Sequence, residues 1–241
     1  MQVIQNHTRY INQDVLAKCF THGQVNHVDK VLCGNGFSTA FLQAPVPKGK
    51  FNVIIVPNKE VIISKEKAYA AGGLCDHSVQ FIYEDSIDKS LNGSEVVMFV
   101  TDSFILNIRP LLQTQRDINW ILLDEAHSVE IQSSFRYKLV RFMDHLELFT
   151  KHSSITTVTA SPNLNAPINI RIENSYKQPI TINTSKNRIE SVQRLQMAIA
   201  ANKNVLMCTN DANTVYRLKD KDKRLRARFM IGESFGRSLV K

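Results

Sequence analysis

The sequence has few cysteines and no long hydrophobic run. Its four cysteines lie far apart and form no Cys-x-x-Cys pair, which argues against a zinc ribbon or a disulfide framework and favours a reducing environment. No apolar run reaches the roughly 18–20 residues that a membrane-spanning helix needs, and the first residues lack the basic and then apolar segments of a signal peptide. We therefore expect a cytoplasmic location (the host cytoplasm, for a phage-encoded chain) and no membrane partner.

The seven histidines also lack the spacing of metal ligands. His22 and His27 lie close together, but no carboxylate or thiol stands near them in the sequence, so we expect no histidine-based metal site. The formal net charge of +8 favours phosphate-rich partners. Many mildly basic proteins bind nothing acidic, so the charge alone leaves nucleic-acid binding open.

Short apolar runs rich in β-branched and aromatic residues predict buried strands. They cover residues 53–56, 96–100, 120–123, 155–159 and 204–208, with a weaker sixth run at 28–33. Runs that are apolar on both faces are typical of a parallel sheet covered on both sides. Amphipathic spacing predicts helices over 133–150 and 189–201 and a first helical turn at 38–43. The alternation predicts an α/β fold with a doubly wound parallel sheet flanked by helices.

The second part of the chain predicts a further unit that is incomplete. Residues 163–176 are expected to be irregular or an edge strand, and a domain boundary is expected within 176–186. We assign 1–178 to a first domain and 179–241 to the start of a second α/β unit, because the 241 residues suffice for one full domain and part of another. The basic residues of the tail at 219–228 are expected to be a solvated face that can touch phosphates.

Asp124-Glu125-Ala126-His127 directly follows the apolar run at 120–123. In a doubly wound sheet, the carboxyl ends of the strands open on the crevice where ligands bind. Asp124 suits Mg²⁺, which prefers one or two carboxylates together with phosphate oxygens. Glu125 is suited to orient and polarise an attacking water, and His127 to pass the state of the nucleotide to neighbouring segments. The alternative is an ordinary strand end with two exposed acids.

Upstream, residues 33–39 read Cys-Gly-Asn-Gly-Phe-Ser-Thr. Together with Asp124 to His127, they give the chain a motif order that resembles the first RecA-like domain of superfamily two helicases, the DEAD/DEAH-box class, over residues 25–210. The resemblance makes 33–39 a phosphate-binding loop, in which backbone N–H groups cradle phosphates and Ser38 joins Asp124 at Mg²⁺. The nucleotide-binding residues it implies are Gly34, Asn35, Gly36, Phe37, Ser38 and Thr39.

Further segments follow the order of the same family. Thr159-Ala160-Ser161 resembles motif III, which in the family links hydrolysis to movement of the nucleic acid. Residues 56–59 resemble motif Ia, residues 100–103 the Ib region and residues 205–210 the strand of motif IV. In the family the Ia and Ib loops hold the nucleic-acid backbone. The nucleic-acid contacts implied here are Pro57, Asn58, Lys59, Thr101 and Asp102.

Two departures from the family pattern count against full activity. Phe37 stands where the phosphate-binding lysine belongs, and Val31 where the leading small residue belongs. Losing one preorganised electrostatic contact at a transition state costs roughly 3–4 kcal/mol. Lys30 or Lys59 would have to take the place of the missing cation. The second departure is length, because residues 211–241 are too short for motifs V and VI with their arginines.

Three hypotheses remain open. The first is an ATP-dependent DNA or RNA helicase or translocase that uses ATP and Mg²⁺ and has a role in replication or recombination. For this hypothesis the chain is either a fragment of a longer helicase or has its site completed by a second chain. The second is a catalytically impaired module that binds nucleic acid or a protein without ATP turnover. The third is an unrelated doubly wound α/β protein in which the acids are coincidental. Retention of both Asp124 and Glu125 favours the first hypothesis, and Phe37 favours the second.

Overall fold

The computed structural model describes residues 1–32, 34–83, 91, 93–161 and 167–175, together with residues 193, 197 and 201. The chain divides into two units, Met1–Gln178 and Pro179–Lys241, and all the elements below lie in the first. The strand expected at 204–208 and the basic tail lie outside the described residues. Within the helix expected at 189–201, Gln193 and Met197 are helical.

A single parallel sheet organises the first unit. Its eight strands, counted over the described residues, lie in the order β1-β8-β2-β7-β6-β3-β5-β4. Every strand pair in that order is parallel. The strands are β1 (Gln2–Asn6), β2 (Val25–Asp29), β3 (Lys50–Val56), β4 (Val79–Ile82), β5 (Val96–Val100), β6 (Asp117–Asp124), β7 (Ser154–Thr159) and β8 (Ile170–Asn174).

Helices cover both faces of the sheet. They are α1 (Gln13–Ala17), α2 (Phe37–Leu42), α3 (Lys59–Ala70), α4 (Thr101–Gln113), α5 (Ala126–Ser133) and α6 (Phe142–Glu147), with a 3₁₀ turn at Tyr137–Leu139. Because side chains alternate along a strand, β3 sends Ile54 and Val56 into one core cluster and Val53 and Ile55 into the other. The predicted doubly wound parallel sheet flanked by helices is therefore confirmed.

The helix predicted over 133–150 is wrong as a single element. The segment contains the end of α5, the 3₁₀ turn and α6, and the backbone of Arg136 is extended at φ −118° and ψ 90°. Arg136 reaches out of the helical path to pair with Asp102 at the start of α4. The periodicity nevertheless marked core positions, because Leu139, Phe142, Leu146 and Phe149 are buried. Phe135, an apolar residue of the same segment, is 71% exposed and takes no part in the core.

Two strand predictions also need correction. Part of the segment at 163–176, expected to be irregular or an edge strand, forms β8, which lies inside the sheet between β1 and β2. The weak run at 28–33 forms a strand only as far as Asp29, where β2 ends. Among the described residues, no helix is both long enough and apolar enough to span a membrane.

The strand order sets the spacing of the candidate site. β7 lies between β2, which leads into the glycine loop (the loop before α2 that carries Gly34 and Gly36), and β6, which ends at Asp124 next to Glu125. Two strand spacings separate the carboxyl ends of β2 and β6 by roughly 10 Å. Long side chains from one end can therefore reach the other across the end of β7.

Candidate functional site

The two acids stand at the turn from β6 to α5. β6 ends at Asp124, and Glu125 adopts the left-handed conformation (φ 51°, ψ 49°) before α5 begins. This conformation is uncommon for a residue other than glycine, and such conformations cluster at functional sites. The Asp124 side chain is 9% exposed and that of Glu125 is 32% exposed. The site therefore holds one buried carboxylate and one that faces an opening.

The loop between β2 and α2 is shaped by its glycines and by strain at Val31. Gly34 and Gly36 take positive φ angles of 71° and 78°, and Val31 has a φ of 57°. The Asp29 carboxylate holds this turn by accepting a hydrogen bond of 2.8 Å from the Val31 N–H. A Cβ atom on Gly36 would lie 3.2 Å from the ring of Tyr10. Gly34 and Gly36 therefore adopt a left-handed conformation that glycine accepts without strain, whereas Val31 is strained in the same conformation.

Val31→Gly is expected to raise the free energy of unfolding by about 1 kcal/mol, because relief of left-handed strain outweighs the extra backbone entropy of glycine. The Val31 side chain is partly exposed, so little packing is lost. Urea denaturation followed through the fluorescence of Trp120, the one tryptophan, measures the effect. Leu32→Gly at the next exposed position is the control and should lower stability. An equal loss in both variants would show that Val31 is unstrained.

Lys30 bridges the glycine-loop strand and the two acids. Its Nζ donates to Asp124 Oδ1 at 3.2 Å and to Glu125 Oε1 at 2.5 Å, and its side chain is 5% exposed. Burial alone would lower the pKa of this ammonium, but the two facing carboxylates outweigh it and hold the pKa above its ordinary value. Lys30 is thus a charged, buried cation at the centre of the site.

Phe37 occupies a different place from the one that its alignment with a phosphate-binding lysine implied. It is the first residue of α2 and is 2% exposed, packed in the core cluster that contains Phe41, Ile54 and Leu122. Its ring therefore faces the core and cannot take the place of the lysine side chain. The nucleotide contact that the resemblance implies for position 37, through the backbone of the loop, stays a prediction. The backbone N–H of Phe37 points to Asn35 Oδ1 at 3.3 Å.

The next two residues of α2 contact charged groups of the site. Ser38 Oγ donates a short hydrogen bond to Asp124 Oδ2, so the two residues predicted to hold Mg²⁺ are in direct contact. Thr39 Oγ1 accepts from Lys65 Nζ of α3 at 2.8 Å. Burial lowers the pKa of Lys65, and the charge of Asp124 opposes that shift. Sequence reasoning missed Lys65, since no motif surrounds it and only the packing of α3 brings it to the loop.

Residues 159–161, predicted to link hydrolysis to movement of the nucleic acid, directly contact the segment that carries Glu125 and His127. His127 Nδ1 lies 2.8 Å from Thr159 Oγ1 and 3.4 Å from Glu125 Oε2. Thr159 Oγ1 in turn donates to Ser161 O at 3.1 Å, which requires the proton of the His127–Thr159 bond to sit on the histidine nitrogen. Ala160 lies between the two bonded residues. The structure therefore joins 159–161 to Glu125 through one histidine.

The residues predicted to contact nucleic acid fall into two groups. Pro57 and Asn58 line a cavity of about 260 Å³ that the acids also line, and Lys59 Nζ lies 5.0 Å from the centre of the Tyr83 ring. Thr101 is fully buried, and Asp102 is paired with Arg136. The remaining residues of the cavity wall are Val56, Val61, Asp124, Glu125, His127, Ser128 and Ser161. Pro57 and Asn58 of the Ia segment thus share a cavity with the acids, whereas Thr101 of the Ib region is buried and the partly exposed Asp102 is held by Arg136.

The oxygen atoms of Asp124 and Ser38 suit a hard cation that takes its remaining ligands from the substrate. Over the described part of the chain, no three His, Cys, Asp or Glu side chains form a group that could hold a metal ion. Mg²⁺ is held in nucleotide sites by one or two protein oxygens and by substrate phosphates. The adjacent Asp124 carboxylate and Ser38 hydroxyl fit that requirement.

Comparisons with known proteins give distant structural likenesses. No protein-family model and no curated protein sequence matches the chain. One similar solved structure is a variant of S. cerevisiae Dbp5 bound to RNA and ADP BeF3, with a TM-score of 0.45 and 15% identity over 82% of this chain and 46% of that one. Another is a nuclease-deletion mutant of the Type ISP restriction-modification enzyme LlaGI with a DNA substrate mimic, with a TM-score of 0.41 and 11% identity over 73% and 19%. The chain spans less than half the length of either of these proteins.

Proposed function

We propose that the chain carries the nucleotide site of a DEAH-type, RecA-like helicase or translocase that hydrolyses ATP with Mg²⁺ in response to DNA or RNA. One observation carries the proposal. The Asp124 carboxylate lies between the Ser38 hydroxyl and the Lys30 ammonium, with Glu125 beside it at the edge of a cavity. One hydroxyl, one cation and two carboxylates are thus grouped at one site. Phosphoryl transfer needs groups of these kinds, because its catalysis consists mainly of positioning the reactants and stabilising charge.

Asp124 and Ser38 are the residues that would hold the metal. Mg²⁺ bound there supplies positive charge to the phosphate oxygens during the reaction. Asp124 already has its two carboxylate oxygens oriented, one by Ser38 and the other by Lys30. Little rearrangement of the protein is therefore needed to present an oxygen ligand beside the glycine loop.

Glu125 is placed to act on water. Its carboxylate lines the cavity shared with Asn58 and Ser161. Glu125 would orient a water whose oxygen bonds to the terminal phosphorus of ATP, while the bond from that phosphorus to the bridging oxygen breaks. The proton of the water passes to Glu125, and the electrons of the broken bond leave on the diphosphate oxygen. The partial exposure of Glu125 is what gives water access to it.

The contacts of His127 support coupling to nucleic acid. Ser161 and Asn58 line the same cavity as Glu125, and His127 connects Glu125 with Thr159. A backbone phosphate bound near Asn58 and Lys59 would shift the contacts that His127 makes with Glu125 and Thr159. The net charge of +8 favours such a partner.

A second candidate function is a nucleic-acid or protein platform without ATP turnover. Burial of Phe37 favours it, because the loop then lacks its usual cation. Lys30 also neutralises the charge of the acids, as a structural ion pair would. This candidate predicts no nucleotide-dependent chemistry and leaves the sheet as a scaffold.

The proposal is tested by phosphate release from ATP with the full chain, measured with and without single-stranded DNA and RNA. We expect hydrolysis that a nucleic acid stimulates and that EDTA abolishes. Asp124→Asn should abolish it as well, because the amide is a poor Mg²⁺ ligand, whereas Asp144→Asn on the exposed face of α6 should behave as wild type. If the chain neither binds nor hydrolyses ATP under any of these conditions, the platform function replaces this proposal.

A further inference from the structure

Because position 37 holds a phenylalanine, it supplies no positive charge to the proposed site. A triphosphate carries several negative charges, and the two acids add more, so an uncompensated site would repel its own substrate. The first residue of α2 cannot supply the charge, because its ring is buried in the core. The described residues around the site offer three lysines, which are Lys30, Lys59 and Lys65.

Contacts distinguish these three lysines. Lys59 Nζ lies over the ring of Tyr83 at 5.0 Å. Lys65 Nζ is bonded to Thr39 Oγ1 at 2.8 Å, one residue beyond the serine that touches Asp124. Lys30 Nζ contacts both Asp124 and Glu125. Of the three, Lys30 is therefore the one placed between the Mg²⁺ ligand and the residue that faces water.

The backbone of Lys30 is fixed where the glycine loop begins. Its N–H donates to Thr159 O at 2.7 Å, and its carbonyl accepts from Leu32 N at 2.5 Å. The left-handed Val31 follows immediately. A strained residue persists only where its surroundings over-determine it, and here the strained turn directs the chain away from β2 just after Lys30. Lys30 is thus held rigidly while its long side chain stays in the site.

We propose that Lys30 is the phosphate-binding lysine of this site, in place of the residue at position 37. The inference rests on the proposed function. Lys30 donates to the Glu125 carboxylate in the structure, and it exchanges that partner for the terminal phosphate oxygens when a nucleoside triphosphate binds. Both partners are anions that accept charge-assisted hydrogen bonds, so the buried ammonium keeps a negative partner throughout.

The exchange regulates Glu125. While Lys30 Nζ holds Glu125 Oε1 at 2.5 Å, that oxygen is occupied and cannot orient a water. A triphosphate draws the ammonium away and releases the carboxylate for catalysis, whereas a diphosphate, which lacks the terminal group, does so less. The site therefore distinguishes triphosphate from diphosphate through the residue that is to act on water.

Isothermal titration of the full chain with MgATPγS and with MgADP tests the proposal. Lys30→Met should weaken MgATPγS binding by about 10- to 100-fold, the loss of one strong charge-assisted contact, and should weaken MgADP binding less. Lys30→Arg keeps the charge and should recover much of the affinity. Lys48→Met removes an exposed lysine in the loop before β3 and should leave both affinities unchanged.

Because Lys30→Met leaves Asp124 and Glu125 without their cation, its folding is checked by circular dichroism. The double variant Lys30→Met with Glu125→Gln removes the charge of the lysine and the charge of Glu125 together. In the wild type, the ¹⁵N resonance of Lys30 Nζ, assigned with Lys30→Arg, should shift with MgATPγS and shift less with MgADP. Wild-type binding that Lys30→Met leaves intact, or an unmoved resonance, overturns the role of Lys30 and spares the proposed function. A wild type that binds no nucleotide overturns both.

Discussion

Replacing Glu125 by Gln is expected to slow ATP hydrolysis by about 10²- to 10⁴-fold, the usual contribution of a positioned general base. The amide keeps the size of the side chain but cannot take a proton from water. Affinity for MgATPγS should stay the same or increase, because Lys30 loses the carboxylate that competes with the phosphates. Single-turnover phosphate release, with titration of MgATPγS, separates these two effects.

Glu147→Gln is the matched control for that substitution. Glu147 is exposed at the end of α6 and does not line the cavity of the acids. Its variant should hydrolyse ATP at the wild-type rate. If Glu125→Gln and Glu147→Gln behave alike, Glu125 does not act on water, and the turnover must be attributed to other groups.

Phe37→Lys is expected to lower the free energy of unfolding by roughly 3–5 kcal/mol, because it removes a buried ring and puts an ammonium in an apolar core. Alignment with the helicase motif would instead have made this substitution a repair of the site. Urea denaturation measures the loss, and nucleotide titration of the same variant should show no gain in affinity for MgATPγS.

Phe37→Leu is the control for position 37. It keeps the site apolar and should cost only about 1 kcal/mol. A Phe37→Lys variant that is as stable as Phe37→Leu and binds MgATPγS more tightly than wild type would show that the side chain can leave the core. In that event position 37 would regain its role as a phosphate contact, and Lys30 would be a structural residue.

The central strands could be predicted from sequence because their environment is uniform. β3, β5 and the end of β6 are buried on both faces, so a continuous run of apolar residues was enough to find them. β7 is buried as well, and its β-branched residues indicated a strand although three of them are threonines. β1 and β4 were missed, and they are the edge strands of the sheet. Edge strands carry mixed side chains, and in this chain they leave no apolar run that a sequence pattern could detect.

Helix prediction failed where tertiary contacts override local patterns. α4 runs from Thr101 to Gln113 and contains Pro110, a residue that argues against a helix interior in sequence. The segment after α5 had helical spacing but breaks at Arg136, whose guanidinium pairs with Asp102 of α4. That partner is distant in sequence, so no local pattern could reveal the break.

Some residues of the candidate site could likewise be predicted from sequence, and others could not. Ser38, Asp124, Glu125, His127 and Thr159 were named from motif order, and the structure brings them together at one end of the sheet. Position 37 was assigned by alignment and lies in the core instead. The selection of Lys30 over Lys59 depended on distances across three strands, and such distances are fixed by sheet order and not by spacing along the chain.

Thr159 has a further consequence because two parts of the site share it. Its carbonyl oxygen accepts from the Lys30 N–H, and its hydroxyl contacts His127. Any ligand that shifts the end of β7 must change the energies of the lysine and the histidine together. Linkage between binding equilibria is reciprocal, so a nucleic acid that tightens nucleotide binding through Thr159 must itself be bound more tightly, by the same factor, when nucleotide is present.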